Sequence, residues 1–253
     1  IMCTLVILRR PGHEWPLILA GNRDEMATRP SAPPGRHWAD RPEVVAGLDL
    51  LAGGSWLGIN DHGVVAVVMN REGSLGPAGD KRSRGELVLE ALDHGEASDA
   101  AQALAFLDRT AYRPFNLVVA DPVSAYWLRH DDADASDQLQ VIEIHAGLHM
   151  LGARELNDES MPRIRLFLPL FRQASAPVPG MEDWKKWPAL LADRSYSETD
   201  GPYSAMNLRL PNGFGTRSSH LVAMPHYPGV TFDPVFLFAD GPPDRVGFSA
   251  VDR

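Results

Sequence analysis

Strands near both ends of the chain, with helices between and after them, predict an α+β fold: a four-layer αββα sandwich of two mainly antiparallel sheets. Three observations predict it. Two short apolar runs, Cys3–Leu8 and Pro16–Gly21, flank a Pro11-Gly12 turn and read as a hairpin at the very start. From Ser83 onward, apolar residues recur at helical spacing in two successive segments. Strands and helices come in blocks, without the steady alternation of a doubly wound parallel sheet.

The elements follow in order. Val44–Gly47, Ser55–Ile59 and Val64–Asn70 continue the strand pattern, and Asn60-Asp61-His62-Gly63 suits a tight turn between the last two. Ser83 with Glu86 three residues later predicts a capping box, with Leu87, Val88, Ala91 and Leu92 on the buried face and Gly95 as the stop. Ser98 opens a second helix through Ala101, Leu104 and Ala105, expected beside the first on one sheet face. Phe115–Ala120, Ala125–Arg129 and Leu139–His145 read as strands, and Ala146-Gly147 predicts a hairpin return through Leu148–Leu151. Ser160 and Pro162 lead a helix carrying Ile164, Leu166, Phe167, Leu170 and Phe171, with Pro169 as a kink or break. Gln173–Gly180 reads as a loop, after which Trp184, Trp187, Leu190 and Leu191 recur at helical spacing as core anchors. Ala205–Leu208, Ser218–Ala223 and Val235–Phe238 return to strand.

The 253 residues show no linker-like division and read as one domain, 1–253, long enough to bury a substantial core. A formal charge of -9, with no lysine or arginine stripe, argues against nucleic acid as a partner. No apolar stretch approaches the ~20 residues of a membrane helix, and no secretory leader pattern opens the chain, so a soluble, cytoplasmic protein is expected. Asp131-Asp132-Ala133-Asp134 with Asp137 lacks the glycine and terminal glutamate of a calcium loop and reads as a hairpin tip. No metal is suggested.

Cys3 is the only cysteine, so it forms no intrachain disulfide and makes a poor structural metal site. Its position points to chemistry. With Ile1 and Met2 removed, Cys3 carries a thiol and a free α-amine, so nucleophile and general base share one residue, as in an N-terminal nucleophile hydrolase. Read without that context, it is a small apolar strand residue.

Further motifs run the length of the chain: Met2-Cys3-Thr4, Asn22-Arg23-Asp24-Glu25, Gly53-Gly54-Ser55-Trp56-Leu57-Gly58, Asn70-Arg71, Ser83-Arg84-Gly85-Glu86-Leu87, Tyr112-Arg113-Pro114-Phe115-Asn116-Leu117, Pro162-Arg163 and Phe214-Gly215-Thr216-Arg217-Ser218-Ser219. In this ordered series the chain resembles the NRDE family, which includes the transport and Golgi organisation protein 2 homologues and is related to N-terminal nucleophile hydrolases. The hairpin is expected to place Asn22–Glu25 just beyond the strand beside Cys3, strands being about 5 Å apart. There Arg23 would favour the thiolate and Asp24 would orient the terminal amine, with Asn22 and Glu25 as substrate contacts. Asn70 resembles the oxyanion asparagine of the choloylglycine and penicillin V acylase relatives. The second asparagine of those relatives has no clear match, since Asn157 looks displaced from that role. Arg217 resembles a site-proximal position suited to a substrate carboxylate, and equally reads as a solvated strand-end arginine.

The resemblance implies an amide or ester hydrolase working through an acyl-thioester on Cys3, with no cofactor. It also implies an alternative, a non-catalytic carrier of haem or acyl-coenzyme A. His145 and His149 fall across an expected hairpin, with no haem-attachment sequence, and read as ordinary histidines.

Overall fold

The computed structural model describes residues 3–132, 138–226 and 233–253. The chain forms two compact units, one from Ile1–Thr28 with Ala146–Val251, the other from Arg29–His145 with Asp252–Arg253. It opens with β1 (Thr4–Arg9) and β2 (Leu17–Met26), paired antiparallel from Thr4↔Asn22 to Arg9↔Leu17. Every residue of β1 is buried, which is why Leu5–Leu8 is a continuous apolar run rather than an alternation.

The chain then builds the second unit: β3 (Ser31–Gly35), β4 (Val44–Asp49), β5 (Leu57–Asn60), β6 (Val65–Asn70), α1 (Gly85–Leu92), α2 (Ala97–Ala105), β7 (Phe115–Ala120), β8 (Ala125–His130) and β9 (Gln140–Glu143). These seven strands make one antiparallel sheet in sequence order, a meander. One sheet face, including Val44, Ala46, Ala66, Val68, Leu117 and Val119, shares a core with Leu87, Val88 and Leu92 of α1 and Ala101 and Leu104 of α2.

Returning to the first unit, the chain adds β10 (Gly147–Leu151), α3 (Pro162–Gln173), α4 (Trp187–Leu191), β11 (Phe214–Met224), β12 (Val235–Ala239) and β13 (Ser249–Ala250). The six-stranded sheet runs β10-β1-β2-β11-β12-β13, antiparallel throughout. Val6, Leu8, Ile18, Ala20, Leu221 and Ala223 pack on Ile164, Phe167, Leu168 and Phe171 of α3 and on Trp184, Trp187 and Leu191 around α4.

Several elements differ from the sequence expectation. Residues 22–25 lie inside β2, not beyond it, because Asn22, Arg23 and Asp24 are buried and Asn22 and Asp24 are bonded by Ser219 and Thr216 of β11 and by Arg163 of α3. β3 holds Pro33 and Pro34, tolerable because it is a sheet edge with an irregular register between Ala32 and Gly35. The capping box does not form: the Ser83 hydroxyl accepts from the Gly85 amide at 3.2 Å, and Glu86 pairs with Arg82 instead. α2 draws its N-terminal bond from another element, the Asp121 carboxylate accepting from the Ala97 amide at 2.7 Å. β9 and β10 are no hairpin, since β10 pairs with β1 in the other sheet. α3 continues through Pro169, which is exposed, and Leu170 is 40% exposed rather than buried. Ala205–Leu208 is not a strand; it is a buried loop whose Met206 carbonyl is held by a side chain of β2. The expected acidic hairpin tip falls largely on 133–137, outside the described residues.

Candidate functional site

The opening hairpin divides its side chains between two sheet faces. Thr4 and Asn22 oppose each other in register and both point to the helices: Arg163 Nη1 donates to Thr4 Oγ1 at 2.8 Å, and Asn22 Nδ2 donates to the Leu191 and Met206 carbonyls at 2.9 and 3.0 Å. Strand alternation then turns the next residues, Cys3 and Arg23, to the opposite face. The partly buried Cys3 sulfur donates to the Asp24 carbonyl at 3.7 Å. Burial and the Asp24 charge push the thiol up to about 11, while the Arg23 charge pulls it down. The expected sign of the Arg23 effect is therefore present, but it loses to desolvation in a chain that carries residues before Cys3.

Asp24 has a task that its position in the motif did not reveal. Its Oδ2 accepts from Arg163 Nη1 at 2.8 Å and its Oδ1 from the Thr216 hydroxyl at 2.7 Å, on the helix face. Burial pushes this carboxyl above the usual carboxylate range, and Arg163 and Thr216 oppose that shift. Its carbonyl, not its carboxylate, meets the sulfur. Asn22 is likewise committed to the fold, its Oδ1 accepting from Ser219 at 2.7 Å in addition to its two donations. Glu25 is half-buried, accepts from the Met26 amide at 2.8 Å and raises the thiol further.

Sequence reasoning missed Thr4, Arg163 and Thr216, which tie β1, α3 and β11 to Asp24 directly beside Cys3. Two signals were available: all three stand in the sequence motifs, and Arg163 shares the i, i+4, i+8 stripe of Phe167 and Phe171, so a charge sat on an apolar helix face. Arg217 is the extra residue of a bulge in β11, between Thr216, paired with Asp24, and Ser218, paired with Arg23. It is exposed, and bulges commonly re-aim a side chain in this way.

The second unit holds Asn70 at the end of β6, opposite Phe115. The loop that follows is clamped by the arginines of the later motifs. Arg71 donates to Asn116 Oδ1 at 2.9 Å and Asp131 Oδ2 at 2.8 Å. Arg84 donates to the Ser74 and Pro114 carbonyls at 2.8 and 3.0 Å, and Arg113 to those of Leu75 and Gly76 at 2.7 and 3.0 Å. Gly54 and Gly85 meet backbone to backbone; a Cβ on Gly54 would lie 2.5 Å from the Gly85 carbonyl carbon, so two motifs are glycine-bearing for one contact. Asn157, at φ 59°, donates to His149 Nδ1 and accepts from the Met150 amide, both at 2.9 Å, so its amide serves β10.

Among the described residues, no group of three or more His, Cys, Asp or Glu could hold a metal ion. No helix among them is long and apolar enough to cross a membrane.

Comparison with solved structures finds the same fold in the Caenorhabditis elegans N-acylethanolamine-hydrolyzing acid amidase ortholog, with 12% identity, a TM-score of 0.54 and coverage of 90% of this chain and 94% of that one. A variant of conjugated bile acid hydrolase from Clostridium perfringens matches at 9% identity and a TM-score of 0.51, covering 99% and 97%. These likenesses show an α+β fold shared with both structures. The Homo sapiens Transport and Golgi organization protein 2 homolog is 38% identical over 114 residues, 43% of this chain and 40% of that protein. The Bos taurus homolog is 39% identical over 119 residues, with the same coverage. The chain thus matches less than half the length of these curated relatives. The Transport and Golgi organisation 2 family matches residues 2–232, nearly the whole sequence. The chain belongs to the Transport and Golgi organisation 2 family.

Proposed function

We propose that this protein is an N-terminal cysteine hydrolase that cleaves amide or ester bonds through an acyl-thioester on Cys3, once the residues before Cys3 are removed. What supports the reading is the position of Cys3, at the open end of the hairpin on the sheet face that carries Arg23, in a fold shared with two hydrolases. The thiol alone is a poor nucleophile there, so the reading requires the α-amine, whose reference pKa lies near 8. That amine takes the thiol proton, and the thiolate attacks the substrate carbonyl carbon. Collapse of the tetrahedral intermediate breaks the C–N or C–O bond, and the leaving group takes the proton from the ammonium. Water, deprotonated by the same amine, then releases the acid and restores the thiol. Arg23 favours the thiolate, the Asp24 carbonyl fixes the sulfur, and Arg217 is the candidate for a substrate carboxylate. The family resemblance alone assigns the oxyanion to Asn70.

The test is a chain beginning at Cys3, offered a panel of N-acyl amides with Cys3→Ala as control. Turnover abolished by the substitution supports the reading. No turnover, together with a stoichiometric haemin or acyl-coenzyme A complex unchanged in Cys3→Ala, replaces it with a carrier.

A further inference from the structure

A buried polar atom with no partner marks a place where a group from outside the chain can complete the hydrogen bonding. His220 Nε2 is such an atom, on a side chain only 4% exposed. His220 lies on β11 in a row with Leu5 of β1, Gly21 of β2 and Phe238 of β12. Its neighbour Ser219 faces Asn22 on the helix side, so the imidazole shares the face of Cys3 and Arg23. Gly21 makes room for it. A Cβ at Gly21 would lie 2.6 Å from His220 Cε1, 2.8 Å from Nε2 and 2.6 Å from the Thr4 carbonyl oxygen. The ring therefore lies over β2, leaning toward the strand that follows Cys3. Burial holds the imidazole neutral, pushing it down to about 3, so it offers a hydrogen bond without a charge.

We propose that His220 is a substrate contact of the Cys3 site, its Nε2 bonding the uncharged amide of an N-acyl compound whose carbonyl lies at the sulfur. The inference rests on reading Cys3 as the nucleophile, and it deepens that reading by favouring amides over compounds with no polar group beside the carbonyl.

Because Cys3 is the only cysteine, alkylation of the full chain places a chosen group at one sulfur. Iodoacetamide forms an S–CH2 bond with loss of iodide and the thiol proton, delivering an amide. Methyl methanethiosulfonate forms S–S–CH3 with release of methanesulfinate, delivering no hydrogen-bonding group. In protein labelled with 15N-histidine, the His220 ring resonances are expected to move on carbamidomethylation and stay in place on methylthiolation. Identical His220 spectra in the two adducts would overturn the proposal. In the chain beginning at Cys3, His220→Phe should lower kcat/KM for an N-acyl amide by about threefold to tenfold, with His220→Gln restoring most of it. If amides turn over but His220→Phe leaves kcat/KM unchanged and the two adducts give identical His220 spectra, this contact fails while the nucleophile stands. If the amide adduct moves His220 but no amide is cleaved, the nucleophile fails while the contact stands.

Discussion

Cys3 sits where a charge and a desolvation penalty oppose each other, and the penalty wins. With residues preceding Cys3, its alkylation rate by iodoacetamide should keep rising as pH approaches about 11. Arg23→Ala should shift that profile further upward, because the one named cation favouring the thiolate is gone; an unchanged profile would remove Arg23 from the account. His220 supplies a second residue-scale test. Folded, its ring stays neutral down to about 3, whereas the unfolded chain protonates it near 6.5, so the unfolded state binds the extra proton between those values. Stability therefore falls as pH drops through that window. The urea midpoint of the wild type should decline more steeply from pH 6.5 to 4 than that of His220→Gln.

At the scale of elements, the buried Asp24–Arg163 pair joins β2 to α3, with Thr4 and Thr216 completing it from β1 and β11. Removing one partner leaves a buried charge, so Arg163→Met should cost about 3–5 kcal/mol in denaturant unfolding. The double variant Arg163→Met with Asp24→Leu should recover most of that loss. Gly85→Ala should also destabilise, since its Cβ would lie 2.9 Å from the Ser55 amide nitrogen. What was legible in the sequence follows from the same packing. The opening hairpin, the meander strands β4 to β8 and α1 carry apolar patterns and were readable, whereas β3, with Pro33 and Pro34, was not. Asn22–Glu25 read as lying beyond the strand because Asn and Asp disfavour strands locally; partners 139 to 197 residues away, among them Arg163, Thr216 and Ser219, hold them in β2. Ala205–Leu208 failed in the opposite sense, its apolar alternation serving a buried loop rather than a ladder.

Across the whole molecule, the chain leaves the first unit after Thr28 and re-enters it at Ala146, which no local pattern could announce. The hairpin expected at Ala146-Gly147 is the place where the chain changes sheets, and pairing of β10 with β1 is a long-range choice. Cys3, Arg23 and Arg217 were proposed from motif residues. Arg163 stood in a motif but was given no role, and His220 stood in none, because their roles come from partners set by β11 and α3.

Under the proposed function, an exposed amine turns Cys3 into a nucleophile. The most direct measurement is intact mass spectrometry of a chain beginning at Cys3, quenched with acid during incubation with an N-acyl amide. A transient acyl mass is expected on Cys3, absent from Cys3→Ala and from the chain that retains Ile1 and Met2. Turnover without that adduct's mapping to Cys3, or equal turnover in Cys3→Ala, would contradict it.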